Sequence, residues 1–386
     1  MIKTIIALLR KPASIIGIIT AVIFQLFFSI IWLTGYDQIN NHVNQFKIAI
    51  VNEDKGIGAS AAEQLANQLS FKTEILPSVD QAKQLLEDRQ IQLIIHFPSD
   101  FTKYVTDPAS KGMINYIVND SNASMVKSVM QGIAAEVTAT INKQSVKSSF
   151  QSTLEQLHLP SSQSEQMATS LSERVATQIE SVNPVNNFAK LMVPMLLVMA
   201  SFTGSMLMTM NMNKSANEIK EQFGKWRLLA ARALIYVVAS VFIALIGTSM
   251  VNLLGIHSDQ GFIAMWLFQS LIVLSFLFLS QMFFLLLGDA GAWINIALLS
   301  IQLLTSGATI PREVLSSFYY GLSSYLPSTY AVNGIMNLVS GGPSIANDCW
   351  WLLRITLAVI GISVILVAIR KDGRRTKQSL PASQIA

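Results

Sequence analysis

Residues 287–342 read LGDAGAWINIALLSIQLLTSGATIPREVLSSFYYGLSSYLPSTYAVNGIMNLVSGG. The stretch opens on a tight turn, Gly288-Asp289-Ala290-Gly291. An apolar run of membrane-spanning length follows, from Ala292 to about Ile310, and Pro311 stops it. Two amphipathic pieces come next, residues 314–322 and 328–338, split by Pro327 and closed by Ser340-Gly341-Gly342-Pro343. Each is too short to cross a bilayer and too apolar for an ordinary loop. Backbone that breaks at membrane depth persists only where protein or a water-filled cavity surrounds it. The order of membrane helix, folded-back half-helices and returning span therefore predicts the outer gate of a transporter rather than a plain anchor.

The composition agrees with a membrane protein. The 386 residues are 51% hydrophobic and only 13% charged, against roughly 25% charged in a soluble domain, and the mean hydropathy is +0.46. Charges concentrate between residues 36 and 190 and in a few short loops, so one soluble domain is expected within a polytopic α-helical chain. The net charge is +4. Much of the excess sits in Arg370, Lys371, Arg374, Arg375 and Lys377, directly after the last apolar run, as the positive-inside rule expects of a cytoplasmic flank. No basic patch interleaved with aromatics occurs, which argues against a nucleic-acid partner. Cys349 is the single cysteine, and the four histidines are scattered without metal-ligand spacing. No nucleophile–base arrangement is present either, so neither a metal site nor an enzyme is expected.

Taken in order, residues 1–11 read either as an amphipathic helix lying in the membrane interface or as a basic N-terminal flank. Residues 12–36 carry no charge and are long enough for a span; they outrun a signal-peptide core and no A-x-A site follows, which predicts an uncleaved anchor. Between residues 37 and 188 the pattern is that of a small α/β unit. Strands are expected at 46–51, 72–76, 92–97 and 113–118, and helices at 60–69 and from a Ser78-x-x-Gln81 capping box to Glu87. Helices at about 122–157 and 161–181 then form a thin, exposed hairpin. Further spans are expected at 191–213, 233–256, 262–287, 292–310 and 350–369, giving six in all. Both termini and the connector 214–232 are then cytoplasmic, and residues 37–188 extracytoplasmic. The domains are 1–36 (interface helix and first span), 37–188 (α/β domain with helical hairpin), 189–371 (five spans) and 372–386 (cytoplasmic tail).

Few stretches could carry chemistry. In the connector, Ile219, Phe223, Trp226 and Leu229 fall on one helical face, with Glu218, Lys220, Glu221 and Lys225 around them. Such a helix either seats in a groove of a soluble partner or lies on the lipid interface with Trp226 as a belt residue. Within the spans, Gln269, Gln281, Asn295, Gln302, Ser300, Thr305 and Ser306 are polar. They read as interhelical hydrogen bonds or, for Gln281, Asn295 and Gln302, as the lining of a pathway. Arg354 either snorkels to the outer interface or pairs with a carboxylate near the gate. No acidic residue lies deep in a span, so a carboxylate proton relay is not expected. Asp54-Lys55-Gly56-Ile57-Gly58 follows a strand but lacks the P-loop spacing, and reads as a strand-to-helix turn.

Several motifs appear together and in order: residues 48–55 (IAIVNEDK), 94–101 (IIHFPSDF), Asn183-Pro184, Leu287-Gly288-x-x-Gly291, Gln302-Leu303 with residues 306–311 (SGATIP), and Leu326-Pro327-x-Thr329-Tyr330-Ala331-Val332-Asn333. On these the chain resembles ABC-2-type transporter permeases, in the branch related to YhgE/Pip membrane proteins. The resemblance implies six membrane helices per subunit, a homodimer or a heterodimer with a related permease, and a separate ABC ATPase subunit that binds the ATP. It makes residues 214–227 the ATPase-coupling helix, with Glu218, Lys220, Glu221, Phe223, Lys225 and Trp226 as contact residues and residues 1–11 beside it. It makes residues 311–343 re-entrant outer helices, with Pro311, Pro327, Tyr330 and Asn333 at the gate. Many YhgE/Pip proteins carry a far longer extracytoplasmic insertion, which moves this chain toward the compact exporter permeases. The expected function is export of an amphipathic or hydrophobic substrate (a drug, a lipid-like molecule or a peptide) across a bacterial plasma membrane. The alternative is a non-transporting surface receptor or secretion-assembly scaffold.

Overall fold

A computed structural model describes residues 1–36, 43–107, 110–156, 160–172 and 188–370. They fall into two units, 40–181 and the remainder. The helical unit begins with α1 (Ile2–Leu9) and α2 (Pro12–Gly35), and Pro12 starts α2 with its φ already set for a helix. α2 is apolar all round, yet its buried face is Ser14, Gly17, Ala21, Gln25, Ser29 and Leu33, at intervals of three and four. Its large side chains point outward, with Ile16 55% and Ile31 63% exposed. Small and polar inside, large and apolar outside is the pattern of a helix solvated by lipid.

The other unit is a four-stranded sheet in the order β2-β1-β3-β4, built from β1 (Lys47–Asn52), β2 (Lys72–Leu76), β3 (Leu93–Phe97) and β4 (Asn115–Val118). β1 runs parallel to β2 and β3, while β4 is antiparallel to β3. The intervening helices are α3 (Ile57–Gln68), α4 (Val79–Glu87) and α5 (Phe101–Thr106), followed by α6 (Ser124–Gln156) and α7 (Ser161–Ser172). β1 and β3 are continuous apolar runs because both faces are covered. Ile48, Ile50, Leu93 and Ile95 pack with α3 and α6, whereas Ala49, Val51 and Ile94 pack with α4. Ser78 caps α4, its hydroxyl accepting from the Gln81 N–H at 3.2 Å. Helix α6 departs from the expected thin hairpin. Met130, Ile133, Val137 and Ile141, spaced three and four apart, belong to the sheet's core. The sequence reading also missed α5. The junction between the two expected hairpin helices, residues 157–159, and the end of the second, residues 173–181, lie outside the described residues.

The helical unit continues with α8 (Phe188–Ile219), α9 (Lys225–Leu253), α10 (Phe262–Leu287), α11 (Gly291–Thr305), α12 (Ser317–Ser323), α13 (Pro327–Ser340) and α14 (Ala346–Ile369). α2 and α8 lie antiparallel in close contact. Gly17 meets Met208, Ala21 meets Gly204, and Tyr36 meets Phe188 edge-on at 5.5 Å. The chain thus departs for the α/β unit and returns from it at neighbouring points.

Among the described residues five helical runs are long and apolar enough to cross a membrane: α2, α8, α9, α14 and residues 262–305, which join α10 and α11. The chain is thus a multi-pass helical membrane protein. The expected fifth span is α11, whose 15 residues reach about 22 Å, short of the ~30 Å hydrocarbon core. It ends not at Pro311 but at Thr305. There the Ser306 hydroxyl donates to the Leu303 carbonyl at 3.0 Å, and Gly307 turns the chain with φ +85°, which a side chain would resist. At its start, a Cβ on Gly291 would stand 2.6 Å from the Phe283 carbonyl oxygen, so glycine lets α11 fold back tightly on α10.

Candidate functional site

Two ends of the helical unit carry the residues singled out by sequence. One end holds α1, the α8–α9 turn and the C-terminus of α14. The opposite end holds the α9–α10 turn, α12 and α13, tied together where the Asp259 N–H donates to the Leu338 carbonyl at 2.9 Å.

At the first end the expected amphipathic connector helix is replaced by a hairpin. Helix α8 runs on to Ile219, residues 220–223 turn, and Gly224 takes an extended ψ of 151° before α9 starts at Lys225. The apolar stripe therefore does not form one face. Ile219 is buried at the end of α8, Phe223 packs inward against the core, and Trp226 is 48% exposed on α9. Lys220, Glu221, Gln222 and Arg227 remain exposed at the tip. Glu218 pairs with Lys11 at 2.8 Å, joining the turn to the segment between α1 and α2. Lys225 Nζ donates to the Ala368 and Arg370 carbonyls, closing the C-terminal end of α14. Arg232, expected within the charged connector, is instead buried in α9.

The mid-bundle amides divide into two groups. Gln25, absent from the sequence-based candidates, accepts from the Ser201 hydroxyl at 3.2 Å, and Ser201 accepts from the Gln269 amide at 2.7 Å. This chain links α2, α8 and α10. Gly247 makes room for it on α9, since a Cβ there would meet Gln25 Nε2 at 2.3 Å. Asn295 donates to the Gly291 and Ser280 carbonyls, tying α11 to α10. Gln281 and Gln302 are different. Each is 1% exposed, and neither side chain has a hydrogen-bond partner among the described residues. Among the described residues no hydrogen bond joins Gln281, Asn295 and Gln302 to one another.

At the opposite end the folded-back helices are knotted by hydroxyls. Thr329 donates to the Ser323 carbonyl at 2.7 Å, Tyr330 to the Ser324 carbonyl at 2.9 Å, and Ser328 to the Gln302 carbonyl at 3.2 Å. Pro327 opens α13, where a missing N–H costs nothing. Arg312 donates from Nε to Ser323 Oγ at 2.8 Å and from its terminal nitrogen to Ser324 Oγ at 3.1 Å, and lies over the Tyr320 ring. Tyr330 stacks on Trp351 at 5.5 Å, and the Arg354 guanidinium covers the other ring partner at 5.1 Å from the Trp351 centroid. Arg354 thus covers an aromatic stack and, among the described residues, makes no carboxylate pair. Pro311 is exposed and Asn333 half-buried. Arg312→Ala is expected to speed amide exchange across residues 312–326 about tenfold, from the loss of two charge-assisted bonds worth roughly 1–2 kcal/mol together when part-exposed. Exchange mass spectrometry would check this against unchanged protection in α10.

Ser323, Ser324, Thr329 and Arg312 were not read as functional from sequence. Serine-rich spacing beside Pro327 was the available signal.

Residues 13–369 match a family model described as ABC-2 family transporter protein. The chain is also 26% identical over 203 residues to the "Uncharacterized protein YhgE" of Bacillus subtilis (strain 168), an overlap of 50% of this chain and 24% of that protein. The chain thus aligns with about a quarter of the length of the curated relative it matches.

Proposed function

Because the chain belongs to the ABC-2 family of transporter proteins, we propose that it is the permease subunit of an ATP-binding-cassette exporter in a bacterial plasma membrane, moving an amphipathic or hydrophobic substrate outward. α11 and the residues up to Pro311 serve as the fifth of six passes, both termini are cytoplasmic, and the α/β unit is extracytoplasmic. The ATP is bound by a separate ABC ATPase, and two permease copies or related permeases pair. One observation supports this reading most: a charged hairpin tip (Lys220, Glu221, Arg227) at one end of α8 and α9, and a hydroxyl-knotted re-entrant pair at the other. The tip receives the ATPase, and rigid helices α8 and α9 carry its motion to α12 and α13. Pro311, Pro327, Tyr330 and Asn333 lie where the outer opening forms, and Gln302, whose carbonyl accepts from Ser328, sits beside that opening on α11, with Asn295 farther along the pathway.

The test is capture of an ATPase. The full chain purified in mild detergent should retain a P-loop ATPase whose hydrolysis rises when both are reconstituted in vesicles. Glu221→Lys combined with Arg227→Glu should cut the retained ATPase about tenfold or more, the loss of roughly 1.4 kcal/mol or more of interface energy, with membrane insertion unchanged. Retention equal to the parent would refute docking at the tip.

A second reading, a surface receptor or assembly scaffold, has one observation in its favour. A groove of about 660 Å³ in the α/β unit, between α5 and α6, mixes apolar Val105 and Ile141 with polar Thr138 and Asn142. Loss of transport-independent partner binding on Val146→Glu, a groove residue that is exposed, with the unit still folded, would support it.

A further inference from the structure

Helices α9, α10 and α14 enclose a cleft of about 250 Å³ near the end of the bundle that holds the α8–α9 turn. Its walls are apolar: Phe278 from α10, Ile360 from α14, and Ala230 with Ala233 from α9. The two alanines, three residues apart on one face, are what leave the gap. Two polar side chains line it, Gln281 and Ser363. Each is 1% exposed, and the Gln281 amide oxygen, the Gln281 amide nitrogen and the Ser363 hydroxyl all lack a hydrogen-bond partner among the described residues. Buried polar groups are ordinarily satisfied, and an amide left bare in a lipid-solvated bundle is costly. Gln25, Gln269 and Asn295 each hold at least one hydrogen bond; Gln302 shares the bare amide of Gln281 but does not line this cleft.

We infer that this cleft binds the head of a neutral, single-chain amphiphile whose polar group both donates and accepts hydrogen bonds, such as an alcohol or a primary amide. A carboxamide beside a hydroxyl offers donors and acceptors together, which matches such a head. Among the described residues no charged side chain lines the cleft, so an ionised head would be buried without a partner from them. The volume amounts to about eight groups of ~30 Å³, enough for a head and its first carbons but below the ~300 Å³ that encloses a whole drug-sized ligand. The remaining chain lies in the bilayer, with Trp226, half exposed, at the cleft's edge. Occupancy needs only these three helices. It requires no ATPase and no transport, so it can fail while the permease assignment stands, and the reverse.

The experiment uses the full chain in phosphatidylglycerol/phosphatidylcholine nanodiscs without ATPase. Three photoreactive probes of matched chain are compared: a fatty alcohol, a fatty carboxylate and a phosphatidylcholine. The alcohol should label peptides holding residues 226–233 and 360–364 saturably, and unlabelled dodecanol should compete. Gln281→Leu should cut that labelling about tenfold, the worth of a buried hydrogen-bonded head. It should also leave the ligand-free protein as heat-stable as the parent or more so, because an unpaired amide has gone. Ala233→Phe, which fills the cleft and spares the amide, should abolish labelling as well. Labelling that does not saturate, or that survives both variants, would overturn the proposal. So would equal labelling of the same peptides by the carboxylate or by phosphatidylcholine, which would make the occupant bulk lipid.

Discussion

Gly204→Leu is expected to lower the melting temperature of the detergent-purified protein by on the order of 5–10 °C, and Gly17→Leu by a similar amount. A Cβ on Gly204 would stand 3.1 Å from the Ala21 Cα and 3.2 Å from its carbonyl oxygen. A Cβ on Gly17 would stand 2.9 Å from the Asn211 Cβ and 3.1 Å from the Met208 carbonyl oxygen. Backbone, or a Cβ fixed to it, and not a flexible side-chain tip, is what each would strike. Lipid tails are as apolar as leucine, so helices in a bilayer gain from close packing rather than from leaving water. The α2–α8 seam is made of small residues for that reason, and it also aligns the Gln25–Ser201–Gln269 bonds. Forcing the seam apart by a side chain's width breaks those bonds together with the packing. Gly361 supplies the control, since nothing lies within 4 Å of a Cβ built there. Gly361→Leu should stay within about 1 °C of the parent. Differential scanning fluorimetry of the three variants would decide, and equal losses at Gly361 and Gly204 would mean that the seam carries no special weight.

That seam was only partly legible in the sequence. The uncharged run of α2 announced a span, and α10 matches its expected bounds of 262–287. The stripe Gly17, Ala21, Gln25, Ser29 could have been found from its spacing of four, but composition alone treats Gln25 as filler. The connector shows the opposite failure. Ile219, Phe223, Trp226 and Leu229 do have helical spacing, yet periodicity cannot see that the first belongs to one long helix and the last two to another. Gly224, whose extended backbone separates them, was the overlooked residue. The two short helices α12 and α13 were readable because Pro311, Pro327 and paired glycines punctuate them. Their hydroxyl-to-carbonyl knot was not, because Ser323 and Thr329 meet only once α12 and α13 have folded back. Arg232 gave no signal of burial at all; its charge pulled it into the predicted loop. In the α/β unit the strands were legible from β-branched runs, whereas the core role of α6 was masked by its Ser, Gln and Lys content.

Asp54→Ala is expected to unfold the α/β unit's β1–α3 region locally, raising amide exchange in β1 and β3 about a hundredfold or more, equivalent to roughly 3 kcal/mol. The Asp54 side chain, in a residue 5% exposed, accepts from four donors. Its Oδ2 takes the Gly56 and Gly58 N–H groups at 2.9 Å each and the Thr102 hydroxyl, and its Oδ1 takes the Thr102 N–H at 3.1 Å. One carboxylate thereby fastens the turn after β1 to α5, which follows β3. The glycines are there for room: a Cβ on Gly58 would lie 2.8 Å from the Asp54 Cβ. Removing the carboxylate takes the acceptor from all four donors at once, the Gly56, Gly58 and Thr102 N–H groups and the Thr102 hydroxyl. Asp54→Asn can still face its oxygen to the glycines but turns its NH2 against the Thr102 N–H, so a smaller loss is expected. The same geometry fixes a pH dependence. Burial raises the Asp54 pKa, but the bonds from the Thr102 hydroxyl, the Thr102 N–H and the two glycine N–H groups outweigh it, and the net shift is downward from 3.8. A depressed folded-state pKa means the folded form binds its proton less readily than the unfolded one. The stabilisation is therefore fully present above about pH 5 and is lost as pH falls through ~3.8 toward the folded value. Acid titration of the full chain, followed by pulse proteolysis within residues 43–172, should show this loss in the parent. In Asp54→Ala the unit should be weaker at neutral pH and should lose less between about pH 5 and pH 3 than the parent does. Parallel acid profiles for the two proteins would show that another carboxylate governs the transition.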